Sequence, residues 1–384
     1  MSTIITNGLG ITLAIWQENS NNKFDRIATI DEITTLQVTY NWVNASTFNL
    51  TIPYNPQTAP LFAVNNMITI HDPANLGESQ TEPFIITMLT IASSNNSITT
   101  IQIEGSNPLI WLGRRLILDG SFGITSSPTA IAQTLVNLAA IEPAESARII
   151  PNLQLGGTPE FGETATFFIQ EAYQNLLTTI TTLLQAYNLG QNITFDLETG
   201  IFYYNILQGV DRSADQDTTN PIIYSPSHGN ITGSSFQHTN VNYVNVCYGS
   251  VQISGTTYTT VTGSASGLQR FEGSVTGSDD TGTTITTSNY QEVLTLLAEQ
   301  QMAKDAENKT TLGTIKEDTL NCYQYNVDFT LGDTITYFNK SWGVNMNATI
   351  TEVNVQWSSN GKAIQIQLGQ PLPTIAAILG ISDN

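Results

Sequence analysis

Polar and apolar side chains alternate along much of this chain. Thr34-Thr35-Leu36-Gln37-Val38-Thr39-Tyr40 and Asn96-Ser97-Ile98-Thr99-Thr100-Ile101-Gln102-Ile103-Glu104 are clear cases. A pleated strand sends successive side chains to opposite faces, so such runs predict strands with one face on a core and one in solvent. Met67-Ile68-Thr69-Ile70-His71-Asp72 continues the pattern and is followed by a loop from Pro73 to Glu82. The Thr, Val and Ile content suits a pleated surface, and the pattern predicts an antiparallel barrel or sandwich ending near residue 107.

The period lengthens after Arg115. Ser127-Pro128 followed by apolar positions through Ala139 predicts a helix, because serine caps and proline tolerates the first helical position. A second helix is predicted over Asn175 to Tyr187, with Leu176, Leu177, Ile180, Leu183 and Leu184 on one stripe and Asn188-Leu189-Gly190 as its stop. Asn192 to Asn205 reads as a hairpin turning at Glu198-Thr199-Gly200. The charged run Gly209 to Asn220 reads as a linker or loop.

Alternation returns at Pro221-Ile222-Ile223-Tyr224-Ser225 and Tyr243-Val244-Asn245-Val246-Cys247-Tyr248, and a Gly, Ser and Thr tract from Gly249 to Thr287 is part strand and part loop. A helix is predicted from Ser288 to about Glu307, where Ser288 with Gln291, or Asn289 with Glu292, has capping-box spacing. Phe329 to Tyr337, Met346 to Val355 and Ala363 to Gly369 read as closing strands. The expected fold class is mainly β with inserted α/β segments: a β domain over 1–107, an inserted α/β domain over 108–220, and a second β domain over 221–384 that includes the helix near 288–307.

Charge narrows the partners. The 384 residues carry 12 Lys plus Arg against 32 Asp plus Glu, a net charge of -20, with no basic tail or stripe. Tight binding to a nucleic-acid backbone or an anionic membrane therefore has no electrostatic source, although an acidic wall is compatible with DNA passing without sticking. No apolar run is long enough to span a bilayer and the first residues do not form a secretory signal, so a soluble protein without a membrane anchor is expected. Cys247 and Cys322 sit among alternating or aromatic residues and read as thiols, not a disulfide framework.

Within so acidic a chain, the segment Asn107-Pro108-Leu109-Ile110-Trp111-Leu112-Gly113-Arg114-Arg115 stands out. Two adjacent positive charges suggest carboxylate partners in this chain or a neighbouring subunit; a solvated surface pair is the alternative. Catalytic constellations are poorly represented. His71, His228 and His238 lack zinc spacing, neither cysteine lies beside a histidine, and Gly263-Ser264-Ala265-Ser266-Gly267 has no phosphate-loop lysine. No metal, cofactor or catalytic residue is assigned. Asp279-Asp280, or Asp333 with Glu352, has the chemistry of a glycoside-hydrolase pair, but Leu331-Gly332-Asp333 before Thr334 reads more simply as a tight turn entering a strand. Tyr203, Tyr204, Tyr243, Tyr248, Tyr323, Tyr325, Tyr337, Phe338 and Trp342 suit sugar stacking, core packing or subunit contact.

Together, the Trp111, Arg114, Arg115 segment, Ile223 to Ile231, Tyr243-Val244-Asn245-Val246, Leu331-Gly332-Asp333, Trp342-Gly343 and Ile350-Thr351-Glu352-Val353 resemble, in order, a family of siphovirus-type phage tail proteins related to tail hub or baseplate hub proteins. The resemblance implies two barrel-like β domains with smaller mixed domains inserted. It also implies a noncatalytic homotrimer joining a sixfold tail tube or distal tail protein on one face to a threefold tip, spike or fibre on the other, in a virion tail or extracellular tail-like particle assembled in the host cytoplasm. A carbohydrate-binding or glycan-hydrolysing tail component and a hexameric distal tail protein are the competing expectations.

Overall fold

The computed structural model describes residues 9–72, 80–93, 99–119, 122–157, 159–162, 164–169, 172–277, 285–305, 308–316 and 322–369. The expectations for Met1 to Thr6, for Asn96 to Ile98, for Asp279-Asp280, for positions 306–307 and for most of the loop after Asp72 lie outside the described residues.

The alternating runs form strands. The longer ones are β1 (Thr12–Glu18), β2 (Phe24–Ile30), β3 (Thr35–Asn41), β4 (Thr47–Pro53), β5 (Met67–His71), β6 (Phe84–Ser93), β7 (Thr99–Ser106), β8 (Leu189–Asp196), β9 (Phe202–Gln208) and β10 (Ile231–Thr239). They continue with β11 (Val246–Ile253), β12 (Thr256–Thr262), β13 (Glu272–Gly277), β14 (Asn308–Ile315), β15 (Thr334–Asn339), β16 (Val344–Ser358) and β17 (Gly361–Leu368).

Strands from both ends of the chain share one sheet. Among the described residues thirteen strands form it: eleven lie along the path β10-β14-β17-β16-β3-β4-β7-β6-β5-β1-β2, β15 and the short Ile223–Tyr224 strand pair off it, and no pairing closes that path into a barrel. The join is the antiparallel pairing of β3 with β16, which sets Leu36 opposite Trp357, Val38 opposite Val355 and Tyr40 opposite Val353. Leu36, Val38, Val353 and Val355 are buried in one core with Leu50, Ile101, Ile366 and Leu368. Each such aliphatic side chain contributes about 1.5–3 kcal/mol on burial.

The inserted segment makes a second core. Ser127 Oγ accepts the Ala130 N–H at 3.2 Å and Pro128 opens helix α2 (Pro128–Val136). Asn175 Oδ1 accepts the Thr178 N–H at 3.1 Å and starts helix α3 (Leu176–Ala186), which buries Leu176, Ile180, Leu183 and Leu184 while Leu177 packs at the margin. Asn188, at φ 52°, ends the helix and turns the chain into β8. The predicted hairpin is β8 with β9; Asp196 Oδ1 takes the N–H groups of Glu198 and Thr199 at 2.9 and 2.8 Å to fold its turn.

A third, smaller unit pairs β11 with β12 and β13 beneath helix α4 (Tyr290–Lys304), whose Val293, Leu294 and Leu297 cover Val251. The capping box expected here does not form. Asn289 Oδ1 accepts from the N–H and hydroxyl of Thr286 at 2.6 and 3.0 Å, and Ser288 Oγ bonds Thr286 Oγ1 at 2.8 Å, so both candidate caps turn back into the preceding turn.

The run expected to be a linker is stitched to β15. Thr334 N–H donates to Val210 O, Arg212 N–H to Thr334 O, and Ile222 N–H to Arg212 O, all within 3.0 Å. Its partner in β15, Thr334, lies more than a hundred residues away, which is why local composition reads as loop.

If β3 and β16 make one cooperative body, truncating Leu36 weakens the whole of it. Leu36→Ala is expected to cost about 2–5 kcal/mol. Urea unfolding followed by far-ultraviolet circular dichroism and by tryptophan fluorescence should then shift together to a single lower midpoint.

Candidate functional site

The motif residues fall into two clusters, with Glu352 bordering the first and Trp342 belonging to neither. At the first cluster, two remote segments close on the Trp42 ring and a third bonds its backbone. Trp42 is buried just past the end of β3. A Cβ on Gly190 would meet its ring at 2.5 Å, and one on Gly332 at 2.2 Å, distances no side chain tolerates. Trp42 N–H donates to Thr351 O at 3.0 Å and Trp42 O accepts the Gln191 N–H at 2.9 Å. Gln191 Nε2 donates to Val43 O at 2.8 Å and its Oε1 accepts the Tyr204 hydroxyl at 2.9 Å, so the second core is tied to the same point.

Gly332 takes φ +93° and its carbonyl leaves no room for a Cβ on Gly209, 1.8 Å away. Asp333, 1% exposed, follows it. Its Oδ1 accepts the Val210 N–H at 2.8 Å; its Oδ2 accepts the Thr330 N–H at 2.9 Å and Arg212 Nε–H at 2.9 Å. The tight turn read from the sequence is present, with Asp333 capping Thr330, and a buried ion pair is added to it. Both oxygens are engaged by donors of the fold, an arrangement suited to holding segments together.

Glu352 follows Thr351, half-buried on β16 opposite Asn41 of β3 and Gln367 of β17, where burial raises its pKa. Trp342 sits 49% exposed, its N–H on Asn339 Oδ1 at 3.3 Å. Among the other aromatic positions Tyr204 and Tyr337 are fully buried, while Tyr248 is exposed.

The second cluster is the turn after α1 (Leu109–Leu112). Leu109 and Leu112 are buried; Trp111 stays half-exposed and meets the Phe202 ring edge-on at 5.0 Å. Asn175 Nδ2 donates to Gly113 O at 2.7 Å and Leu176 N–H to Arg115 O at 3.0 Å, fixing the turn to the start of α3. Arg115 Nε–H donates to Arg148 O at 2.7 Å, and the Arg148 guanidinium donates to Leu116 O. The carboxylate partners expected for Arg114 and Arg115 within the chain are not there: among the described residues neither these two nor Arg148 forms an ion pair. Partial burial, then Arg148 and Arg114, lowers the Arg115 pKa. Trp111, Arg114 and Arg115 border a groove of about 320 Å³ with Glu18, Phe24 and Pro151 on its walls.

Trp42, Gly190, Arg212 and Arg148 were not evident from the sequence. Gly190 carries a signal only as a helix stop, and Arg212 lies in a run whose local composition points to a loop.

A larger groove, about 910 Å³, runs between the main sheet and the β8-β9 hairpin, lined by Tyr40, Glu82, Asn192, Asn205, Gln208 and Trp357 among others. Crowding around the Glu82 carboxyl raises its pKa against the hydrogen bonds from Ser46 and from Asn107, the latter at 2.6 Å. The thiol of Cys247 is buried and raised by burial and then by Asp305. Among the described residues no group of His, Cys, Asp and Glu is placed to hold a metal ion, and no helix is long and apolar enough to cross a membrane.

Comparisons with known proteins agree with this architecture. The family model described as Siphovirus ReqiPepy6 Gp37-like protein matches residues 12–370. The tail protein from Neisseria meningitidis MC58 shares the fold at a TM-score of 0.54 and 13% identity, over 97% of this chain and 99% of that one. The 43 kDa tail protein of prophage MuSo2 from Shewanella oneidensis does so at 0.54 and 13%, over 93% and 97%. No curated protein sequence matches.

Two outcomes test the geometry. Gly332→Ala is expected to destabilise by about 1–3 kcal/mol through overpacking on Trp42, and Asp333→Ala by roughly 2–5 kcal/mol because Arg212 and two N–H groups lose their acceptor; urea titration measures both. For Glu82 the folded pKa lies above the unfolded one, so its contribution is full below the unfolded value and is lost as pH rises through the folded value. Stability curves from pH 4 to 8 should therefore show Glu82→Gln gaining on the wild type as pH rises.

Proposed function

We propose a role that proceeds from the family: this chain belongs to the Siphovirus ReqiPepy6 Gp37-like proteins, and we infer that it is a structural tail hub of a phage tail or tail-like particle. In this reading it forms a homotrimer that adapts a sixfold tail tube to a threefold tip. The β regions 1–107 and 221–384 supply two barrel-like units per copy, six per ring, and the inserted segment 108–220 packs around them.

The observation that carries the reading is the end-to-end fold shared with two tail proteins, in which the likeness spans nearly the whole of each chain. The physical design supports it. Pairing β3 with β16 joins the two β regions in one sheet, the continuity an adaptor under load requires and separately linked domains would not give. The engagement of both Asp333 oxygens by Val210, Thr330 and Arg212 also favours a structural over a hydrolytic role for that carboxylate. A net charge of -20 suits a passage through which DNA moves without adhering.

Light scattering with negative-stain imaging of the native assembly tests the proposal. A trimer whose ring looks sixfold is the expected result; a hexamer would favour the distal-tail alternative, and a monomer that binds glycan would favour the carbohydrate-handling one.

A further inference from the structure

The basic turn is unusual in this molecule. Three of its 12 Lys and Arg residues, Arg114, Arg115 and Arg148, gather on one surface without an ion pair among the described residues. Backbone carbonyls orient two of the guanidinium groups: Arg148 O takes Arg115 Nε–H and Leu116 O takes an Arg148 N–H. A guanidinium carries five N–H donors, so each has further donors for an incoming acceptor. Glu18 shares the groove but is not within ion-pair distance of any of the three.

Apolar surface lies in the same short segments. Leu116, Leu118 and Ile149 are 41%, 42% and 42% exposed, directly after Arg115 and Arg148. Arginine beside exposed aliphatic groups and the Trp111 ring has the composition of an interface centre, where one partner supplies carboxylates and some apolar contact.

From this we propose that the Arg114–Arg115–Arg148 surface, with Leu116, Leu118 and Ile149, is the contact by which one copy of this chain holds an acidic face of the next. Charge complementarity selects that occupant. The chain bears 32 acidic residues, so a second copy offers the carboxylates that this surface lacks. The contact joins unlike surfaces, and repeated around an axis it closes a ring. The lowered Arg115 pKa fits a cluster of like charges awaiting a counter-charge. This inference rests on the homo-oligomeric reading above and adds the face through which it assembles.

The test uses the full chain. Arg114 is exposed, and among the described residues its side chain forms no ion pair, so Arg114→Glu should leave the thermal midpoint unchanged. Sedimentation velocity is expected to show the wild type assembled, with an apparent dissociation constant that rises with salt and rises at least about tenfold in Arg114→Glu. A photo-cross-linking amino acid in place of Leu118 should give an intermolecular product joined to an Asp- or Glu-containing peptide. An assembly that Arg114→Glu leaves intact, or one in which the Leu118 probe gives no intermolecular product, overturns this contact while the oligomeric reading stands. A wild type that stays monomeric at every concentration overturns both.

Discussion

The buried Asp333 carboxylate is the interaction on which the rest of this fold depends. A charge taken out of water costs several kcal/mol unless its partners are in place. Here the partners are Arg212 and two backbone N–H groups, one from Val210 and one from Thr330. Asp333 can therefore be buried only when 210–212 lies along β15. The same turn brings Gly332 onto Trp42, whose other side is against Gly190. Four stretches remote in sequence are thereby held in one arrangement, and the advantage of the ion pair is better stated as specificity of packing than as net stability.

From that joint the larger features follow. Trp42 follows the last residue of β3, and its backbone bridges Thr351 of β16 and Gln191 of β8. The main sheet and the second core are consequently locked at one point, which fixes the angle at which the β8-β9 hairpin faces the sheet and so shapes the large groove between them. The basic turn is held less directly, through Asn175 and Leu176 at the start of α3. Its two buried leucines anchor it while leaving the arginines outward.

Local elements were legible in the sequence because their signals are local. Ser127-Pro128 starts α2 as expected, α3 lies within the predicted Asn175 to Tyr187 with its leucine stripe inward, and Glu198-Thr199-Gly200 turns the hairpin. The Gly332-Asp333 turn was legible for the same reason. Long-range partners were not. Nothing near Arg212 announces an aspartate more than a hundred residues away, and alternation shows that β3 and β16 are strands without showing that they pair. One local signal also misled: the capping-box spacing at 288–292 yielded to Thr286, which engages both candidate side chains.

Native-state hydrogen exchange tests most directly the claim that one buried joint makes the chain a single body. Amides that cross the joint, those of Trp42, Gln191, Arg212, Thr334 and Ile350, should open with a common free energy equal to that of global unfolding, and Asp333→Ala should lower all of them together. Separate tiers, with Arg212 and Thr334 exchanging well before Trp42 and Gln191 and only the former responding to the substitution, would contradict it.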